Sequence, residues 1–234
     1  PTAGSPSLAG GAPVSEFLDL EKNEKVIALA TLSPESAESV GIALGTASGV
    51  VKRVVPDYPS NKDSFELIGL KDDDTVVGAV ELATGDEDLV FITSDAQLLR
   101  FDAASVRPQG RAAGGMAGVR VATGAHVVFF GAVNAYADNV VVTIAGSSAA
   151  LPGTDAGTVK VAPYSEFPAK GRATGGVRCH RFLRGEDTVL LAWAGVRPPK
   201  ATAASGVAIE LPAPTGKRDG SGAPLPAPVA AIGH

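Results

Sequence analysis

The chain has 234 residues, 45% of them hydrophobic, with 28 Gly, 17 Pro and a formal net charge of −5. A single cysteine, Cys179, excludes a disulfide framework and a cysteine-rich zinc site. No run of roughly eighteen apolar residues is present to form a transmembrane helix. Gly and Pro at this level argue against a helix bundle and favour tight turns between short strands.

In chain order, residues 1–13 are rich in Pro, Ala, Gly and Ser and read as linker. The chain opens at Pro1 without a methionine or signal-peptide pattern and reads as a piece of a longer protein. Short apolar runs with β-branched residues then recur, bounded by Gly, Asp, Asn or Ser. They are Val14–Leu20, Lys25–Leu32, Val40–Thr46, Thr75–Leu82, Leu89–Ser94, His126–Val133, Asn139–Ala145, Thr188–Ala194 and Gly206–Leu211. Runs of this length and composition predict strands. After an apolar strand and a turn comes a strand with a basic residue, in GTASGVVKR (45–53), TSDAQLLRF (93–101) and GTVKV (157–161). This places Lys52, Arg100 and Lys160 at matching points. Two units then share a loop, QGRAAGG (109–115) and KGRATGG (170–176), followed by GVRV (118–121) and GVRCHRF (176–182). Complete units are expected near 40–82, 89–133 and 139–195, with partial units at either end that would pair to close a ring. Four strands per unit is the pattern of a propeller blade. The fold expected is therefore all-β, with about four blades, or five if the N-terminal loop pairs. Its domain spans 14–211, and 212–234 reads as a Pro/Ala/Gly-rich tail.

Charge is unevenly spread. Residues 1–99 hold 6 Lys+Arg and 17 Asp+Glu, while residues 100–200 hold 12 and 6. That asymmetry predicts a polarised surface. The acidic groups Glu16–Glu24, Asp72–Asp74 and Asp86–Asp88 would repel DNA from one sector or meet a basic partner surface.

Catalytic patterns are missing. His180 and Cys179 are neighbours in a strand, where their side chains alternate in direction, so they do not form a nucleophile pair. GTASG (45–49) has the wrong spacing for a nucleophile elbow, and TGKR (215–218) lacks the rest of a Walker loop. No HExxH or CxxC spacing occurs. Only 12 aromatic residues (8 Phe, 3 Tyr, 1 Trp) are present, too few for single-strand stacking platforms, and Trp193 in TVLLAWA reads as core.

The stretches RPQGRAAGGMAGVRV (107–121) and YSEFPAKGRATGGVRC (164–179) resemble the repeat of the C-terminal domains of DNA gyrase and topoisomerase IV A subunits. The resemblance spans roughly 10–211. It implies a β-pinwheel, a disc whose rim binds and bends duplex DNA and which carries no cofactor of its own. The parent enzyme implied is an ATP-dependent type IIA topoisomerase, with ATP and Mg used elsewhere in it. The partners implied are duplex DNA, the breakage-reunion domain of the same chain and the ATPase B subunit; no membrane is implied, and the location is cytoplasmic, on the nucleoid. Neither loop keeps the full basic set of the gyrase heptad Q-R-R-G-G-K-G. This points to a divergent or topoisomerase IV-like protein that captures and orients DNA rather than wrapping it fully. The cations expected to meet phosphates are Lys52, Arg53, Arg100, Arg107, Arg111, Arg120, Lys160, Lys170, Arg172, Arg178, Arg181 and Arg184. None of Tyr58, Tyr136 and Tyr164 follows an arginine, so no DNA-cleaving role is carried over. The rival reading is a propeller-type protein-interaction module that uses its acidic face and binds no DNA.

Overall fold

A computed structural model describes residues 14–22, 24–30, 40–151 and 153–234. Four sheets follow one another along the chain. The first contains β1 (Ile42–Thr46), β2 (Val50–Val54) and β3 (Val76–Glu81). The second contains β4 (Asp88–Thr93), β5 (Gln97–Asp102) and β8 (Val127–Val133), and the third β9 (Asn139–Gly146), β10 (Thr158–Pro163) and β12 (Thr188–Val196). The fourth is smaller, with β13 (Lys200–Thr202), β14 (Ala208–Ile209) and β16 (Ala231–Gly233).

Each of the first three sheets borrows its remaining edge from the next unit. β6 (Pro108–Gln109) and β7 (Met116–Ala117) pair with β2, β11 (Val177–Arg178) with β5, and β15 (Ala223–Pro224) with β10. The unit of the sequence repeat is therefore not the unit of the sheet: every glycine-rich loop leaves its own blade and closes the edge of the preceding one. The opposite edges meet, because β8 touches both β3 and β12, and β12 touches β16.

The apolar runs are continuous rather than alternating because the middle sheets are buried on both faces. In β4, Leu89 and Phe91 pack toward the first sheet with Ala43, Val51 and Phe130. Their neighbours Val90 and Ile92 pack toward the third with Val141, Phe167 and Val189. In β9 the same division sends Val141 to that cluster, and Val140, Val142 and Ile144 toward the fourth sheet with Ala201, Ile209 and Leu225. Trp193 lies half-buried against this last cluster, as its strand context predicts.

Three expectations change. Val14–Leu20 forms only a 3-10 turn at Val14–Glu16, and 17–22 and 24–30 carry no strand. Thr31 and Leu32 fall outside the described residues. Among the described residues the fourth sheet is built from C-terminal residues alone, and the described part of the N-terminal partial unit adds no strand to it. Residues 212–234 are more than a tail, since they supply β15 and β16, and Leu225 is buried. Proline and alanine hid these strands because their two or three residues need only backbone pairing, not a β-branched run.

Candidate nucleic-acid interface

The glycine-rich loops sit at the exchanged edges, and their placement repeats. The last glycine of each directly precedes the exchanged strand: Gly115, Gly176 and Gly222. A Cβ on Gly176 would lie 2.5 Å from the Leu98 carbonyl oxygen, and one on Gly115 2.8 Å from that of Val51. On Gly222 it would lie 2.6 Å from Thr158 Oγ1. Only glycine lets the loop approach the neighbouring strand this closely. Three residues further on, the backbone N–H of Gly118, Cys179 and Leu225 donates to the carbonyl of Gly49, Ala96 and Gly157 respectively. Those acceptors occupy the left-handed turn at the start of β2, β5 and β10. The correspondence exposes a third loop, GKRDGSG (216–222), in which Arg218 matches Arg111 and Arg172. Sequence reading misses it because only the arginine at its third position and the glycine at its last survive, while the other glycines have moved.

Consecutive loops are also tied to each other. The Arg120 N–H donates to the Thr174 carbonyl (3.0 Å), and at the matching place the Arg181 N–H donates to Gly220 (2.9 Å). Arg172 Nη1 donates to the Ala117 carbonyl at 2.5 Å. Arg120 and Arg181 thus stand at the same point of successive exchanged edges, both exposed. Ala227 holds that point in the last unit.

The expected phosphate contacts divide by burial. Arg107, Arg120, Lys170, Arg178, Arg181 and Arg184 are exposed; Arg111 and Arg172 are half-buried. The two ion pairs among the described residues, Arg100–Asp88 and Arg197–Asp138, involve none of these eight. Arg111 lies over the Phe65 ring, 5.5 Å from its centroid. The structure corrects the assignment of Lys52, Lys160 and Arg100, which face inward. Lys52 is fully buried and its Nζ donates to the carbonyls of Leu67 (2.8 Å), Arg111 (2.6 Å) and Ala113 (2.6 Å). Lys160 is 4% exposed, with Nζ donating to Arg218 (2.6 Å) and Cys179 (3.1 Å). Arg100 is held by Asp88 (2.7 Å), by the Phe167 carbonyl (2.7 Å) and against the Tyr164 ring, 4.5 Å from its centroid. Counted from the left-handed turn residue, Arg100 matches Arg53, which donates to the Ala103 carbonyl (3.1 Å); the match to Lys52 and Lys160 is Leu99.

Much of the acidic half is also spent internally. Asp74 accepts from the Ser48 N–H and hydroxyl, Glu87 from the N–H groups of Ala83, Thr84 and Gly85, and Asp88 from Arg100 and Tyr164. Backbone donors hold the Glu87 carboxyl below its ordinary value against an opposing burial effect. Asp72, Asp73 and Asp86 remain exposed.

Burial pushes the Cys179 thiol up to about 12 and pulls His180, bonded to Thr143 Oγ1 (2.9 Å), down to about 4. Neither is therefore a poised nucleophile or base near neutral pH. Burial also lowers Lys160 from 10.5 to about 8. Between those values the unfolded chain holds a proton at this lysine that the folded chain has released, so the Lys160 contribution to stability rises with pH across pH 8 to 10.5. The full rise is on the order of 3 kcal/mol. In urea unfolding at about pH 8 and about pH 10, the stability change with pH should be more positive in the native chain than in Lys160→Met, by the Lys160 contribution, while the raised Cys179 thiol acts in the opposite sense in both.

Residues 87–134 and 153–189 match the family model described as "DNA gyrase C-terminal domain, beta-propeller". The chain is 30% identical over 171 residues to the DNA gyrase A subunit of Escherichia coli (strain K12) and 32% over 174 residues to that of Salmonella typhimurium (strain LT2). Each match covers 72% of this chain and 18% of the relative, so the chain spans less than a fifth of the length of those proteins. The C-terminal domain of DNA topoisomerase IV superposes with a TM-score of 0.77 at 19% identity, covering 95% of this chain and 69% of that one. The DNA gyrase A C-terminal domain gives 0.71 at 17%, covering 94% and 74%. Repeat, exchanged edges and likeness agree: the chain belongs to the family of β-pinwheel C-terminal domains of type IIA topoisomerase A subunits, those of DNA gyrase and topoisomerase IV.

Proposed function

We propose that this domain binds and bends duplex DNA along its exchanged sheet edges, capturing a segment for strand passage by a type IIA topoisomerase. The observation that carries the reading is the equivalence of Arg120 and Arg181, exposed at the same point of adjoining edges and joined through their backbones to the next loop. With them the reading groups the exposed or half-buried Arg107, Arg111, Lys170, Arg172, Arg178 and Arg184, and from the third loop Lys217 and Arg218. Duplex DNA presents a dense line of phosphates, and each one neutralised releases condensed counterions. A row of cations fixed to rigid sheets favours a backbone curved to follow it. No element among the described residues is shaped to enter a groove, so phosphate and shape dominate over base reading. The partners proposed are the breakage-reunion domain and the ATPase B subunit of such an enzyme, on the bacterial nucleoid. Since neither QGRAAGG nor KGRATGG keeps the full basic heptad, these loops fit a role in orienting DNA rather than wrapping it completely.

The internal use of Asp74, Glu87 and Asp88 leaves less free acid for the rival interaction-module reading. Gel shift with a duplex of ~30–40 bp tests the proposal, because about six phosphate contacts would cost affinity about 10³-fold between ~50 and ~200 mM salt. Affinity insensitive to salt over that range would overturn it.

A further inference from the structure

We propose that Lys52 and Lys160 are positioning residues that hold the phosphate-contacting loops in place from beneath. The proposal rests on the DNA-binding reading above but concerns groups that never reach DNA. Each ammonium is buried and grips the main chain of the arginine that reading assigns to phosphate, Lys52 at the Arg111 carbonyl and Lys160 at that of Arg218, both at 2.6 Å. Each also takes a second carbonyl: Ala113 of the same loop for Lys52, and Cys179, just past β11, for Lys160. The Lys52 ammonium has three hydrogens and three carbonyl partners, the third being Leu67 in the connection between β2 and β3. So the charge is solvated by backbone dipoles in place of water, and the Arg111 and Ala113 carbonyls, the latter also accepting from the Gly69 N–H at 3.3 Å, are joined at one charged donor.

The arrangement crosses between units. The lysine comes from the second strand of one blade, and the loop comes from the next unit. Fixing the Arg111 and Arg218 main chain costs nothing at the moment of binding, because the loop is ordered beforehand. Leu99 stands at the corresponding place beneath the middle loop, whose Arg172 is instead tied through its guanidinium to Ala117. Two loops are thus held from below by an ammonium and the middle one from its side.

The test is a double-mutant cycle on the 234-residue chain with Lys52→Met, Arg111→Gln and the pair, read by duplex affinity and its salt slope. If Lys52 acts through Arg111, each single variant loses about 10-fold in affinity at ~50 mM salt and about one unit of slope, and the double variant loses no more than either. Full affinity in Lys52→Met, or additive losses in the double variant, overturns the proposal. Hydrogen exchange at the amides of 110–115 gives a readout that needs no DNA: faster exchange in Lys52→Met is expected, and unchanged exchange overturns it. Should the native chain fail to bind duplex, the DNA-binding reading falls, and this exchange measurement decides the role of Lys52. Should Lys52→Met fail to fold, Lys160→Met with Arg218→Gln, read at 217–223, carries the same cycle, with the same expected and overturning results.

Discussion

Reversing Arg120, Arg178 and Arg181 to Glu abolishes duplex binding while leaving the fold intact. The three side chains are exposed, take part in neither ion pair among the described residues, and lie at or beside exchanged edges. Each reversal removes a phosphate neutraliser and adds a charge that repels the backbone. These three phosphate contacts alone account for about 10³-fold at low salt, and the added negative charge acts in the same direction. Exposed substitutions away from caps and cores change stability by only about 0.5 kcal/mol. A melting curve that coincides with that of the native chain, together with no gel shift at the highest protein concentration used, is the expected pair of results. Retained binding would move the interface elsewhere on the molecule. The same reversal at Lys52 or Lys160 would instead destabilise the chain, because it places a carboxylate against backbone carbonyls in a buried site.

Phe91→Ala should cost about 3–5 kcal/mol. Phe91 is fully buried in β4, packs with its centroid 4.8 Å from that of Phe130 and 6.2 Å from that of Phe101, and its ring closes on Gly118. It therefore joins the first sheet, the second sheet and the loop exchanged between them. Gly118 leaves no room for a Cβ, with Phe91 Cζ 2.9 Å from the place it would occupy, and this limits how far the surroundings can collapse into the cavity. Denaturant unfolding measures the loss. A change below about 1 kcal/mol would mean that the sheets do not share this core.

The strands are legible in the sequence where both faces of a sheet are covered. LVFIT in β4 and NVVVTI in β9 leave no other use for such continuous apolar runs. Exchange between units is not legible, because a two-residue strand such as Val177–Arg178 has no periodicity, and its partner is fixed by the glycine before it. Lys52 and Lys160 mislead for a related reason. A lone lysine in an apolar strand looks alike whether its ammonium reaches water or a set of carbonyls, and only the loop arriving from the next unit decides between them. The exposed arginines are easier to place, since Arg120 and Arg181 follow loops whose repetition is visible in the chain. Lys217 and Arg218 escape notice because they sit among prolines and alanines, in a copy of the loop that keeps only its central arginine and its final glycine. In KVIALATL the apolar composition is present, yet 25–30 carry no strand, since composition alone supplies no hydrogen-bonding neighbour.

Hydrogen–deuterium exchange with and without a short duplex tests the central claim most directly. Added DNA should slow exchange at 107–122, 170–184 and 215–224, on the exchanged edges, and leave β3, β8 and β12 on the opposite edges unchanged. Protection centred on β3, β8 and β12, or no protection under conditions where the duplex is bound, would contradict it.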